Sequence, residues 1–155
     1  MSIPDCILAA LGRSPRPAAV QCITNPIDSP GELKYFPGPS RARDIIAASK
    51  QGGAGVLGIR PVQGGALTDT LDRWLPPEHG VATDFKRSVI FRALARELGT
   101  SAAALAHRYA LSMPGVDTVV LGCKNRREVL ECVAAAKAGP LEPAIMARVD
   151  AAFAA

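Results

Sequence analysis

The chain has 155 residues, 48% of them hydrophobic and 21% charged, and a net charge of +4. That length supports one domain, which buries roughly two thirds of its unfolded surface. Charges of both signs are interspersed and the densest basic spot is only Lys124, Arg126 and Arg127, whereas a nucleic-acid surface needs a longer basic stripe or aromatic stacking platforms, so that class is set aside.

Residues 4–11 carry Ile7, Leu8 and Leu11 at helical spacing and end at Gly12, which predicts a short helix with a glycine stop. No charged segment followed by an apolar run opens the chain, and no apolar run approaches the roughly 20 residues of a membrane span, so the expected location is the cytoplasm. Residues 18–24 (AAVQCIT) read as a buried strand, interrupted by Gln21 and ended by Asn25-Pro26. A glutamine in a buried strand must find partners for its amide or costs about 1–3 kcal/mol. Residues 25–39 are rich in turn formers and read as a loop. Ser40 is the expected cap of a helix with Ile45, Ile46 and Ala48 that stops at Gly52-Gly53. Residues 54–59 (AGVLGI) read as a second buried strand, ended at Arg60-Pro61 because proline removes a donor and biases its predecessor toward extended geometry.

Residues 68–80, with Trp74 and Pro76-Pro77, read as a loop insertion. One helix is expected from Thr83 or Asp84, with Phe85, Val89, Ile90, Leu94 and Leu98 on its apolar side and Gly99 as its stop. Ser101 caps the next helix, which closes at Met113-Pro114-Gly115. Residues 116–121 read as a third buried strand, 122–125 as a tight turn, and Asn125 with Glu128 as a capping-box-like pair opening a helix to about Ala138. Pro143 introduces a last helix bearing Ile145, Val149 and Phe153. Buried strands alternating with helices predict a parallel sheet with right-handed crossovers in a single α/β domain over residues 1–155.

Two turns stand out chemically. Lys124, Arg126 and Arg127 lie at or just inside the positive end of a helix dipole, where cations cost a few tenths of a kcal/mol each and a bound anion reverses the sign. The alternative is a set of solvated side chains that tolerate the penalty. The turn RPVQGGAL, after the second strand, offers the backbone N–H groups of Val62 to Gly65 at the same edge of the sheet, or its glycines simply make a tight turn. Cys6, Cys22, Cys123 and Cys132 form neither a zinc spacing nor a secreted disulfide framework. His107 reads as packing or capping, and neither Tyr35 nor Tyr109 has a lysine and histidine placed to tune it.

Four stretches together carry a resemblance: AVQCITNPID (19–28), RPVQGGALTD (60–69), FRALARELGTSAAALAHRYALS (91–112) and GVDTVVLGCKNRREVLECVAAA (115–136). They resemble the carboxyl-terminal part of the aldo-keto reductases. The resemblance implies a partial (β/α)8 TIM barrel, about strands six to eight with their helices, and a nicotinamide cofactor, NADP or NAD, at its carboxyl face. It implies that Gln21 meets the nicotinamide carboxamide. Arg60, Val62, Gly64 and Leu67 then contact the pyrophosphate, and Gly122, Cys123, Lys124, Asn125, Arg126, Arg127, Glu128 and Cys132 belong to the adenosine clamp.

Several of these positions depart from the family pattern. Ile59 stands for the aromatic that stacks on nicotinamide, Gly122 for a lysine, Glu128 for arginine or glutamine and Cys132 for asparagine, which leaves NADP against NAD open. A complete barrel needs about 250 residues and eight strands, and the family's catalytic Asp, Tyr, Lys and His come from its first half. The expectation is therefore a truncated or split reductase without catalytic residues, inactive alone, that pairs with a complementary half or with itself. A non-catalytic half-barrel interaction module and a small self-contained phosphate binder are the alternatives.

Overall fold

A computed structural model describes residues 2–29, 31 and 38–154. The rest of the loop expected over 25–39, Tyr35 included, lies outside the described residues. The elements are α1 (Ile3–Leu11), β1 (Ala19–Ile23), α2 (Ala42–Gly52), β2 (Gly55–Ile59), α3 (Gly80–Arg87), α4 (Val89–Glu97), α5 (Ala102–Ser112), β3 (Thr118–Val119), α6 (Arg126–Lys137) and α7 (Pro143–Ala151), with a 3-10 turn at Gln63–Gly65.

The three strands form one parallel sheet in chain order, β1-β2-β3. β1 pairs with β2 from Ala19↔Gly55 to Ile23↔Ile59, while β2 meets β3 only at Leu57↔Thr118 and Gly58↔Val119. Side chains alternate across a strand. Val20, Cys22 and Val56 point into the core with Ile45 and Ile46 of α2, Phe91 of α4 and Leu105 and Tyr109 of α5. The opposite face carries exposed Ala19 and Gln21 and half-buried Leu57 and Ile59. Apart from Ile23, 2% exposed at the end of β1, that second face is not buried, and Gln21 is exposed, so its amide is solvated rather than in need of protein partners.

The third strand is shorter than the 116–121 expected, and its neighbours Val120 and Leu121 remain 46% and 37% exposed. A strand with only one hydrogen-bonded neighbour pairs only as far as that neighbour runs. Asp117 secures its start: the carboxylate accepts from Lys50 Nζ at 2.7 and 2.9 Å and from the Val56 N–H at 2.8 Å. Those bonds hold its pKa below the ordinary carboxylate value, the Lys50 hydrogen bond contributing most.

Local signals place most helices. Ser2 caps α1 in a capping box with Asp5, Ser101 Oγ accepts from the Ala104 N–H to cap α5, and Asn125 accepts from the Glu128 N–H to cap α6. Two expectations need correction. Ser40 does not cap α2, because its N–H donates to Asp28 Oδ1 at 3.1 Å and its hydroxyl bonds the same carboxylate. Arg41 takes the N-cap position with φ 53°, held by Asp44 and Asp5 at 2.9 and 2.8 Å. The single helix expected from Thr83 or Asp84 to Leu98 is two helices broken at Ser88, and the first begins earlier, at Gly80, capped by His79 Nδ1. Ser88 Oγ donates to the Asp84 carbonyl at 2.7 Å, the kind of local side-chain bond that bends a helix.

Candidate functional site

The chain turns twice at the carboxyl edge of the sheet, after β2 and after β3, and a cleft of about 440 Å³ opens between the turns. The first turn lines it with Val62, Gly64 and Gly65, the second with Gly122 and Lys124, and α6 adds Arg127, Glu128 and Glu131. The loop over 68–79 contributes Thr68, Asp72 and Arg73. That volume lies in the lower part of the about 300–1,000 Å³ usual for small-molecule sites.

The first turn is rigid for a definite reason. Arg60 and Gln63 have φ of 56° and 48°, a left-handed conformation that costs non-glycine residues roughly 1–3 kcal/mol, and Gly64 follows at 63°. A hydrogen-bond hub centred on the fully buried Gln63 side chain offsets that strain. Gln63 Oε1 accepts from Arg60 Nε at 3.1 Å and Asn25 Nδ2 at 3.2 Å, while its Nε2 donates to the Ser29 carbonyl and to Asp84 Oδ2 at 3.3 Å. Asn25 Nδ2 also donates to the Arg60 carbonyl at 3.0 Å. The turn offers fewer backbone donors than its glycines suggest. The Gln63 and Gly65 N–H groups donate to the Arg60 and Val62 carbonyls, both at 2.9 Å.

The second turn ends in the α6 cap. Asn125 Oδ1 accepts from the Glu128 N–H at 3.0 Å, and Glu128 reaches back to the Lys124 N–H at 2.7 Å, one residue before the N-cap. A Cβ built on Gly122 meets nothing within 4 Å, so the turn leaves room beside it. Arg126 and Arg127 are exposed, and Lys124 pairs with Asp72, which also accepts from Arg73 Nη1 at 2.9 Å. Arg73 Nη2 donates to the Gly64 carbonyl at 3.1 Å. Asp72 and Arg73 therefore tie the 68–79 loop to both turns.

Of the residues singled out by sequence, Val62, Gly64, Gly122, Lys124, Arg127 and Glu128 line the cleft. Arg60 buttresses the first turn, and Leu67 is fully buried as its anchor, with its N–H on the Val62 carbonyl at 3.2 Å. Asn125 and Arg126 form the start of α6, exposed Cys123 precedes it and buried Cys132 lies within it. Gln21 stands on β1, apart from the cleft lining. Asp72, Arg73, Gln63 and Asn25 were not singled out. Asp72-Arg73, in a loop directly after a glycine turn, was the available signal, whereas the Gln63–Asn25 hub joins positions far apart in the chain.

Candidates for acid–base chemistry are constrained. Tyr109 is 1% exposed and bonded to Asp150 Oδ1 and Arg43 Nη2, and burial first, then the Asp150 bond, raise its pKa. Burial pushes the Cys132 thiol up to about 11. No group of three or more metal-ligating side chains occurs among the described residues.

A sequence profile described as the aldo/keto reductase family matches residues 9–154, nearly the whole chain. The chain belongs to the aldo/keto reductase family. No curated protein matches it. Among solved structures it is similar to an aldo-keto reductase from Bacillus halodurans in its apo form, with a TM-score of 0.67 and 21% identity over 97% of this chain and 48% of that one. At that identity the likeness speaks for the fold, and the parallel α/β arrangement resembles that of an aldo-keto reductase barrel. The chain spans about half the length of that relative. No helix among the described residues is long and apolar enough to cross a membrane.

Proposed function

We propose that the chain is the carboxyl-terminal, cofactor-binding portion of an aldo/keto reductase barrel, about strands six to eight, and that its cleft takes the phosphate-bearing end of NADP or NAD. The observation that carries this reading is the convergence of Val62, Gly64, Gly122, Lys124, Arg127 and Glu128 on one cleft at the carboxyl ends of β2 and β3. That edge of an α/β sheet is where phosphates meet backbone N–H groups and helix N-termini. When bound, the cofactor supplies the hydride for carbonyl reduction. Lys124 and Arg127 hold its phosphates, Gly64 and Gly122 permit close backbone approach, and Arg60 and Leu67 keep the first turn in shape. Cys123, Asn125, Arg126 and Cys132 build the turn and helix that present the clamp, and Gln21, on the uncovered face, meets the nicotinamide. The 68–79 segment, which stops at the start of α3, acts as a loop insertion over the cleft, and the protein works in the cytoplasm.

Reduction of a carbonyl also needs a proton donor. Tyr109, the one phenol among the described residues, is buried and committed to Asp150 and Arg43. On this reading, as one portion of a barrel, the 155-residue chain binds cofactor weakly and does not turn over alone.

Titration of the chain with NADPH and NADH tests this. Trp74, 82% exposed on the loop that borders the cleft, is a usable fluorescent reporter beside calorimetry. Lys124→Ala and Arg127→Ala are each expected to weaken binding about tenfold, or ~1.4 kcal/mol. Binding that ignores both substitutions would sink the assignment of the cleft. A second reading, a non-catalytic half-barrel that assembles with a complementary half or a second copy, is favoured by the uncovered sheet face, and silence at millimolar cofactor favours it.

A further inference from the structure

Three side chains meet beside the cleft and take no part in lining it. Cys123 Sγ and Cys132 Sγ are 3.8 Å apart, and Cys132 Sγ is 3.3 Å from His107 Nε2. Cys123 is exposed, just before the α6 cap, whereas Cys132 and His107 are 9% and 8% exposed, enclosed where α5 packs on α6. We propose that Cys123 and Cys132 are a modification site, a dithiol that closes to an intramolecular disulfide on exposure to hydrogen peroxide.

The sulfurs of a disulfide lie about 2.05 Å apart, so closure needs a movement of roughly 2 Å, within the reach of side-chain rotation at a turn. The exposed residues around Cys123 leave it free to make that movement. The pair also divides the chemistry. Exposed Cys123 meets the oxidant, and buried Cys132 is shielded from it but touches Cys123. In the first step the Cys123 sulfur attacks one peroxide oxygen, the O–O bond breaks, and a sulfenic acid and one water form. The Cys132 sulfur then attacks the Cys123 sulfur, the S–O bond breaks, and the S–S bond forms. His107 Nε2 takes the proton from Cys132 and returns it to the departing hydroxide as a second water. Two thiols and one peroxide thus become one disulfide and two waters. Burial lowers the pKa of His107 and raises that of Cys132, so neither ion is favoured at pH 7, and the proton passes from sulfur through Nε2 to the departing hydroxide as the S–S bond forms. The inference stands on the thiol geometry and does not depend on the cofactor reading.

The test uses the reduced 155-residue chain, freed of reductant and treated with hydrogen peroxide, then alkylated and digested with trypsin. Trypsin separates the two cysteines onto peptides 109–124 and 128–137. The expected product is a linked pair of those peptides with an intact mass lower by about 2 Da, formed at a rate independent of protein concentration and reversed by dithiothreitol. Cys123→Ser, at an exposed position, abolishes the link, as does Cys132→Ser, whereas Cys6→Ser keeps it. His107→Gln slows closure at least severalfold, so that the Cys123 sulfenic acid accumulates and is trapped by dimedone. Three results overturn the proposal. They are sulfinic acid at Cys123 without a link, a link through Cys6 between molecules, and both thiols still alkylated after oxidation. An unchanged closing rate in His107→Gln removes the imidazole from the mechanism.

Discussion

At the scale of single residues, His107 and Gln63 show how buried polar groups give this chain measurable weak points. The Nδ1 of His107 is buried without a partner, and burial lowers the pKa of the ring from its ordinary 6.5. Above 6.5 both folded and unfolded chains hold a neutral imidazole, so His107 contributes no pH dependence there. As the pH falls from 6.5 toward the lower folded value, the unfolded chain takes up the proton first and the folded state loses stability. The urea midpoint should therefore drop between pH 7 and pH 5, and drop less in His107→Gln; equal drops would show that other groups carry the acid sensitivity. Gln63 presents the opposite case, a buried amide with every atom engaged. Gln63→Ala takes the amide partner from buried Asp84 Oδ2 and leaves Asn25 Nδ2 with only the Arg60 carbonyl, at about 1–3 kcal/mol for a buried group left unsatisfied. Urea unfolding reads that loss, and with the turn released, cofactor affinity should fall with it.

At the scale of elements, what could be read from the chain depended on how local its cause was. The caps of α5 and α6 lie within three residues of their partners, and both helices begin where Ser101 and Asn125 place them. The α2 start escaped because Asp28, far back in the chain, claims the Ser40 hydroxyl. The break at Ser88 escaped because the apolar period runs through it from Phe85 to Leu94, and periodicity does not register a serine that bonds its own helix. The exposure of Gln21 depends on which layers cover the sheet, a property no strand carries in its own residues. Gly80, which opens α3, gives the sharpest test at this scale. A Cβ there would stand 2.2 Å from the Gly31 carbonyl oxygen, a contact that backbone must yield to relieve. Gly80→Ala should cost about 1–3 kcal/mol by overpacking, measured by urea unfolding. Within error of wild type, the α3 start would have to be mobile.

At the scale of the whole molecule, the helices cover one face of the sheet and leave the other open, with Val120 and Leu121 exposed at the β3 side. A sheet face of that kind invites association. Sedimentation is expected to show self-association that Leu121→Lys weakens, and a monomer at every concentration would argue against a pairing surface. The sequential order of the strands has a kinetic consequence. Each strand joins the neighbour nearest in sequence, and because closure entropy grows only with the logarithm of loop length, bringing β3 to β2 costs just about 0.5 kcal/mol more than bringing β2 to β1. The two steps differ far more in what they gain, since β1 and β2 pair along five residues each and β3 along two. The β1–α2–β2 unit should therefore fold first and β3 dock last. In native-state hydrogen exchange the Val120 amide, bonded to the Gly58 carbonyl, should open well before that of Thr24, bonded to the Ile59 carbonyl. The turn that bears Lys124 is carried by the last strand to arrive, so the rate at which the cleft forms is the rate at which β3 finds its place.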